Sequence, residues 1–151
     1  MESPQYNAIE INNYLPHRAP MLFVDILVDI HPKRVSSTFV VKADTLFVQN
    51  GRLQEIGVIE NAAQTCSSVL GQTYFQNGNV DAKVIGFISA IKYVKIYSLP
   101  QVGDEIFTQA ELIHQFESPT YQICTLSTRT QVAGTVIAEA EINLFLQKQE
   151  E

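Results

Sequence analysis

One stretch limits what this chain can fold into more than any other. From about Ile56 to Phe75, apolar residues recur at Ile56, Ile59, Ala63, Cys66, Leu70 and Tyr74. A spacing of three and four is the period of a helix. Most of the other positions are Ala, Ser, Thr, Asn and Gln, with no Lys or Arg among them. A helix whose remaining faces are small or weakly polar is one that protein encloses. The turn residues Gln76-Asn77-Gly78-Asn79 end it.

Something must wrap that helix, and the rest of the chain reads as strand. Tyr6 to Tyr14 forms a short helix, and Pro16 and Pro20 then fix an irregular loop. Met21 to Ile30 and Val35 to Lys42 read as two strands of a hairpin about His31-Pro32-Lys33. After the helix, Val84 to Tyr97 is apolar on both alternating rows, which predicts cover on both faces. Leu99 to Asp104 is a turn, and Glu105 to Glu117 places Ile106, Thr108, Ala110, Leu112, His114 and Phe116 on one row. Tyr121 to Val132 is a Thr-rich strand, and Ala133-Gly134-Thr135 is a tight turn. Val136 to Leu146 then alternates most cleanly, with Glu139, Glu141 and Asn143 on the outer row. Strands joined by short turns imply an antiparallel sheet. The expected class is α+β, a curved antiparallel sheet wrapped around one long helix. With no repeat and no Pro/Gly-rich linker, residues 1–151 read as a single domain.

Composition narrows the function classes. A net charge of -6 argues against a nucleic-acid binder, which carries a basic face. Apolar runs are too short for a spanning helix. Met1-Glu2-Ser3-Pro4 opens no basic segment followed by an apolar stretch, so the expected location is the cytoplasm. Cys66 and Cys124 suggest neither a disulfide framework nor a metal site, and the three histidines lack ligand-like spacing. No metal and no organic cofactor is expected.

Three local motifs accompany this layout: Leu15-Pro16-His17-Arg18-Ala19-Pro20 leading to Val24-Asp25, Gly57-Val58-Ile59-Glu60-Asn61-Ala62-Ala63-Gln64, and Pro100-Gln101-Val102-Gly103-Asp104. Together they resemble the hotdog-fold β-hydroxyacyl-acyl-carrier-protein dehydratases, over roughly Tyr14 to Leu146. The opening motif is the most specific, and the last recurs in many hotdog proteins. One departure is large. The family carries a Gly-His-Phe-Pro segment before the central helix, and its histidine is the catalytic base. Here that stretch is Leu46 to Leu53, without a histidine, and Gln54-Glu55 replaces the Pro-Gly at the helix start. The chain is in this respect similar to the diverged dehydratase-like proteins of aryl-polyene and flexirubin biosynthesis.

Glu60 is the leading catalytic candidate. It is the only acidic residue between Glu55 and Asp81, and an enclosed carboxylate is expensive unless paired. It is either a general acid or base, or a group that bonds its neighbours and orients the helix. Gln64, one turn on, shares its face; the resemblance implies that it fixes the carboxylate, and a self-satisfied buried amide is the other reading. Gly57 at the helix start either offers an N–H to a thioester carbonyl or allows close packing. Ile56 and Ala90 are expected to line the acyl site; the resemblance puts a glycine at the latter. His17 either replaces the missing base or locks its proline-fixed loop. His114, on the apolar row, is expected in the core or an interface. Lys33, Arg34, Lys42, Arg52, Lys92 and Lys95 are candidates for a docking patch.

The resemblance implies dehydration of a 3-hydroxyacyl thioester, with an acyl carrier protein or coenzyme A thioester as partner. It also implies a homodimer, or a heterodimer with a paralogue. Two alternatives stand: a thioesterase using Glu60, and a non-catalytic partner of a competent dehydratase.

Overall fold

The structure is a computed structural model that describes residues 18–75 and 84–148. The expected first helix, the chain around Pro16 and His17, and the turn after the long helix lie outside those residues. Eight strands and one helix follow in the order β1 (Ile26–His31), β2 (Arg34–Val40), β3 (Val48–Gln49), β4 (Arg52–Leu53), α1 (Glu55–Phe75), β5 (Val84–Ile96), β6 (Glu105–Glu117), β7 (Tyr121–Val132) and β8 (Thr135–Lys148). Six strands make one antiparallel sheet in the order β1-β2-β6-β7-β8-β5, and it curves around α1. The short β3–β4 hairpin is a separate two-stranded sheet.

The helix spans the residues its periodicity predicts. Ala62, Ala63, Cys66, Val69 and Leu70 pack into the main core with Val35, Ala110, Leu126, Ile142 and Leu144 of the sheet. Small side chains let the helix axis come close to the strands. A second cluster, around Phe23, Phe39, Leu53, Val58 and Ile106, closes the end of the core at the start of the helix. The enclosed helix also buries Asn61, Gln64, Thr65 and Ser68. Thr65 and Ser68 give their hydroxyl hydrogens to carbonyls four residues back, at 2.8 and 3.0 Å. Such back-bonding lets a hydroxyl sit in a core without an orphan donor.

Several strand assignments need correction. β1 begins at Ile26, five residues later than expected from Met21. Residues 21–25 form no strand: a bend at Met21 opens the segment, and the backbone groups of Phe23 bond helix side chains where a strand would bond a neighbour. The expected single row of β6 breaks at a bulge between Leu112 and His114. Ile106, Thr108 and Ala110 are buried before it, while His114 and Phe116 are exposed after it. An extra residue flips every later side chain to the other face, so His114 is not a core residue. β5 is not covered on both sides. Among the described residues it is the edge of the sheet, bonded only to β8, and Phe87, Ile91 and Tyr93 stand exposed.

The β3–β4 hairpin is an addition to the expected elements. Its Asn50-Gly51 tip takes left-handed φ values of 54° and 72°, the backbone that a two-residue hairpin turn requires and that this pair supplies at little strain.

Candidate active site

Helix α1 brings Glu60 and Gln64 to one face, as their one-turn spacing requires. Glu60 is half-buried and Gln64 is fully buried. Gln64 Nε2 donates to Glu60 Oε2 at 3.2 Å and to the carbonyl of Met21 at 2.8 Å. Gln64 Oε1 accepts the N–H of Phe23 at 2.7 Å. Every hydrogen-bonding group of that amide is therefore engaged, and one of its two hydrogens serves the carboxylate. The arrangement combines both readings of Gln64: it satisfies a buried amide, and it holds the carboxylate.

Asn61, which the sequence motifs do not single out, follows Glu60 directly and grips the same loop. Its Nδ2 donates to the carbonyl of Phe23 at 2.7 Å. Its Oδ1 accepts the Thr108 hydroxyl at 2.6 Å, and Thr130 Oγ1 lies 3.1 Å beyond Thr108 Oγ1. The available signal was a second amide directly after the one carboxylate beyond the first residue of an apolar helix. The ring of Phe23, anchored by this clamp, stacks on Phe47 at 5.8 Å and tilts against Phe39 at 5.7 Å.

The start of α1 is tightly built. Gln54 donates its side-chain amide to the carbonyls of Gln49 and Arg52, both at 3.1 Å, and so seats the hairpin on the helix. Its own carbonyl accepts the N–H of Gly57 at 2.9 Å and of Val58 at 3.2 Å. The Gly57 amide is thus drawn into the first turn. A Cβ on Gly57 would overlap the side chain of Leu53, so close packing accounts for this glycine. Ile56, one turn before Glu60, is 54% exposed. Met21, whose carbonyl shares the Gln64 amide with Glu60, is 42% exposed.

Other candidates are dispersed. Ala90 is exposed on β5, opposite Asn143 and beside a bulge. Two strands, β7 and β8, separate β5 from β6, on which the helix chiefly packs with β2. His17 lies outside the described residues. Where the resemblance places a catalytic histidine, the chain has the β3–β4 hairpin. His31 ends β1, 2.9 Å from Asp29, and His114 is exposed on β6. Lys33 and Arg34 sit at the β1–β2 hairpin, whereas Lys92 and Lys95 are on β5 at the opposite edge of the sheet. The six cations do not form one patch.

Cys66 and Cys124 are fully buried. Burial pushes the Cys66 thiol far above the ordinary thiol range, and burial with nearby Glu117 pushes Cys124 up to about 11. Neither is a ready thiolate nucleophile. Among the described residues, no three His, Cys, Asp or Glu side chains gather as a metal would need, and no helix is long and apolar enough to cross a membrane. A groove of about 480 Å³ runs beside the 19–25 loop, between Pro20, Leu22, Phe39, Lys42 and Leu46; Glu60 is not in its wall.

Comparison with known proteins agrees with this architecture. The chain is 25% identical over 138 residues to the 3-hydroxyacyl-[acyl-carrier-protein] dehydratase FabZ of Thiobacillus denitrificans, covering 88% of this chain and 92% of that one. It is 26% identical to the FabZ of Ruminiclostridium cellulolyticum, covering 92% and 96%. Among solved structures, a chain of the dehydratase heterocomplex ApeI:P from Xenorhabdus doucetiae superposes with a TM-score of 0.77 at 19% identity, covering 95% of this chain and 93% of that one. A thioesterase-type protein of Streptococcus pneumoniae, solved with coenzyme A, superposes at 0.57 and 14% identity, covering 83% and 87%. These likenesses fix the fold as the hotdog fold. Residues 9–151 match the ApeP-like family, described as ApeP dehydratase. That match takes in the clamped loop, the helix with its carboxylate–amide pair and the whole sheet, and the chain accordingly belongs to the ApeP-like dehydratase family.

Proposed function

We propose that this chain supplies the carboxylate half of a site that dehydrates 3-hydroxyacyl thioesters, and that a histidine-bearing paralogue supplies the other half. The observation that carries this reading is the Glu60–Gln64 pair, a half-buried carboxylate whose Oε2 takes a hydrogen bond from a fully engaged amide. Dehydration needs two groups. A base takes the proton from the carbon next to the thioester, and an acid protonates the departing 3-hydroxyl, which leaves as water and a trans-2-enoyl thioester. This chain supplies one such group at Glu60. The residues just before the helix hold no imidazole to supply the second.

Two further features favour a shared site. Glu60 is flanked by exposed Ile56 and Met21, so a second surface is needed to exclude water there. Among the described residues β5 leaves one edge unpaired and shows Phe87, Ile91 and Tyr93, with Tyr97 just beyond it, an arrangement suited to a second sheet. The likeness to a chain of a dehydratase heterocomplex points the same way. The substrate is carried on an acyl carrier protein, the carrier in the names of the FabZ relatives.

Intact mass spectrometry of a 3-hydroxyacyl carrier protein tests this. The substrate is incubated with the chain alone, with a histidine-bearing paralogue, and with the pair carrying Glu60→Gln. Loss of one water with the pair, weakened at least about a hundredfold by the substitution, is the expected result. Loss of the whole acyl group would make the chain a thioesterase. Full dehydration by the pair carrying Glu60→Gln would make it a non-catalytic partner.

A further inference from the structure

We infer that Asn61 and Thr108 are positioning residues for the Glu60 carboxylate, acting through the Phe23 backbone and Gln64. This rests on the reading of Glu60 as the acid or base.

The geometry runs as a chain of fixed orientations. Gln64 reaches Glu60 with only one of its hydrogens; its other hydrogen and its oxygen hold Met21 O and Phe23 N. Its aim therefore depends on where residues 21–23 lie. Gln64 grips Phe23 by its N–H, and Asn61 grips the same residue by its carbonyl, at 2.7 Å. A carboxamide is nearly symmetric in shape, so a flipped Asn61 would fit the same space. Flipped, it would face the Phe23 carbonyl with its own oxygen, two acceptors without a hydrogen between them. The Phe23 carbonyl, which can only accept, excludes that orientation. Asn61 Oδ1 is thereby turned toward Thr108, whose hydroxyl, 2.6 Å away, gives it a hydrogen; without that hydroxyl the buried oxygen loses its donor and the grip on Phe23 weakens.

Asn61 and Thr108 are 0% exposed, and Thr130, next in line, 1%. Water has no access to substitute for a lost partner, so removing one leaves a buried polar group unsatisfied. The sheet, through Thr108 on β6, thus satisfies an amide on the helix, and that amide holds the loop on which the Glu60 hydrogen bond depends. Packing alone would not require a hydroxyl at Thr108; valine has the same shape.

Thr108→Val removes the hydroxyl and keeps the shape, and Thr108→Ser restores the hydroxyl. Two readouts separate positioning from mere structure. The first is hydrogen exchange, by NMR of the full chain, at the Phe23 amide and the Gln64 side-chain amide. Thr108→Val is expected to speed both by about tenfold or more, and Thr108→Ser to leave them near wild type. The second is turnover of a 3-hydroxyacyl carrier protein by the chain with its paralogue. There kcat is expected to fall about tenfold for Thr108→Val with KM within about twofold, and to recover in Thr108→Ser. Should Thr108→Val fail to fold, Thr130→Val tests the same line of groups one hydroxyl further out. Unchanged exchange in a folded variant overturns the inference. So does faster exchange with unchanged kcat, which would make the line purely structural. Wild-type turnover by Glu60→Gln would instead overturn the reading of Glu60 itself, whatever exchange at Gln64 shows.

Discussion

At the scale of single residues, two glycines in one short region are required for opposite reasons. Gly57 has an ordinary helical backbone and no room: an added Cβ would overlap Leu53, which is 0% exposed in the core. Overpacking a core costs about 1–3 kcal/mol, while replacing a helical glycine returns up to about 1 kcal/mol. The overlap wins, and Gly57→Ala is expected to lower stability by about 1–2 kcal/mol in a urea titration. The Glu60–Gln64 face was legible from spacing, because two polar side chains one turn apart on an apolar helix have to share a surface. Asn61 was not, because its role depends on a carbonyl 38 positions away and a hydroxyl 47 positions away. No local pattern encodes those contacts.

At the scale of elements, the β3–β4 hairpin shows what short sequence can and cannot specify. Gly51 has φ of 72° and nothing within 4 Å of an added Cβ. A Gly51→Ala variant therefore meets strain without a clash, and about 1 kcal/mol of lost stability is expected, read as a lower denaturant midpoint with the slope unchanged. The Asn50-Gly51 pair is a legible turn signal, but strands of two residues on either side are too short to show a period. The long helix and β8 from Ala138 on were legible, since each keeps one period; a bulge at Ile137 takes Val136 off the buried row on which it was expected. The outward turn of His114 was not. The bulge that causes it is set by pairing with β7, where Leu112 faces Leu126 and His114 faces Thr125, and that register exists only in the folded sheet.

At the scale of the whole molecule, the sheet has a finished side and an unfinished one. The β1 edge is short and twisted by a bulge, features that discourage further pairing. The β5 edge is 13 residues long and carries exposed Ile91, Tyr93 and Phe87. The chain, alone or with its paralogue, is expected to scatter light with at least a dimer's mass at micromolar concentration. Ile91→Lys is expected to shift it toward the monomer, because a charge on an edge strand opposes a second strand; an unchanged mass would place the contact elsewhere. Strand order has one more consequence, for biosynthesis. β8 comes last among these strands in the chain, yet it lies between β7 and β5 and is the only described strand bonded to β5. Until the ribosome has delivered it, β5 lacks the one described strand it pairs with, and helix α1, already made, waits with part of its apolar surface uncovered. The growing chain thus needs protection from the moment the helix emerges until β8 is complete, and a nonsense codon in the Ala133-Gly134 turn would yield a chain that cannot close.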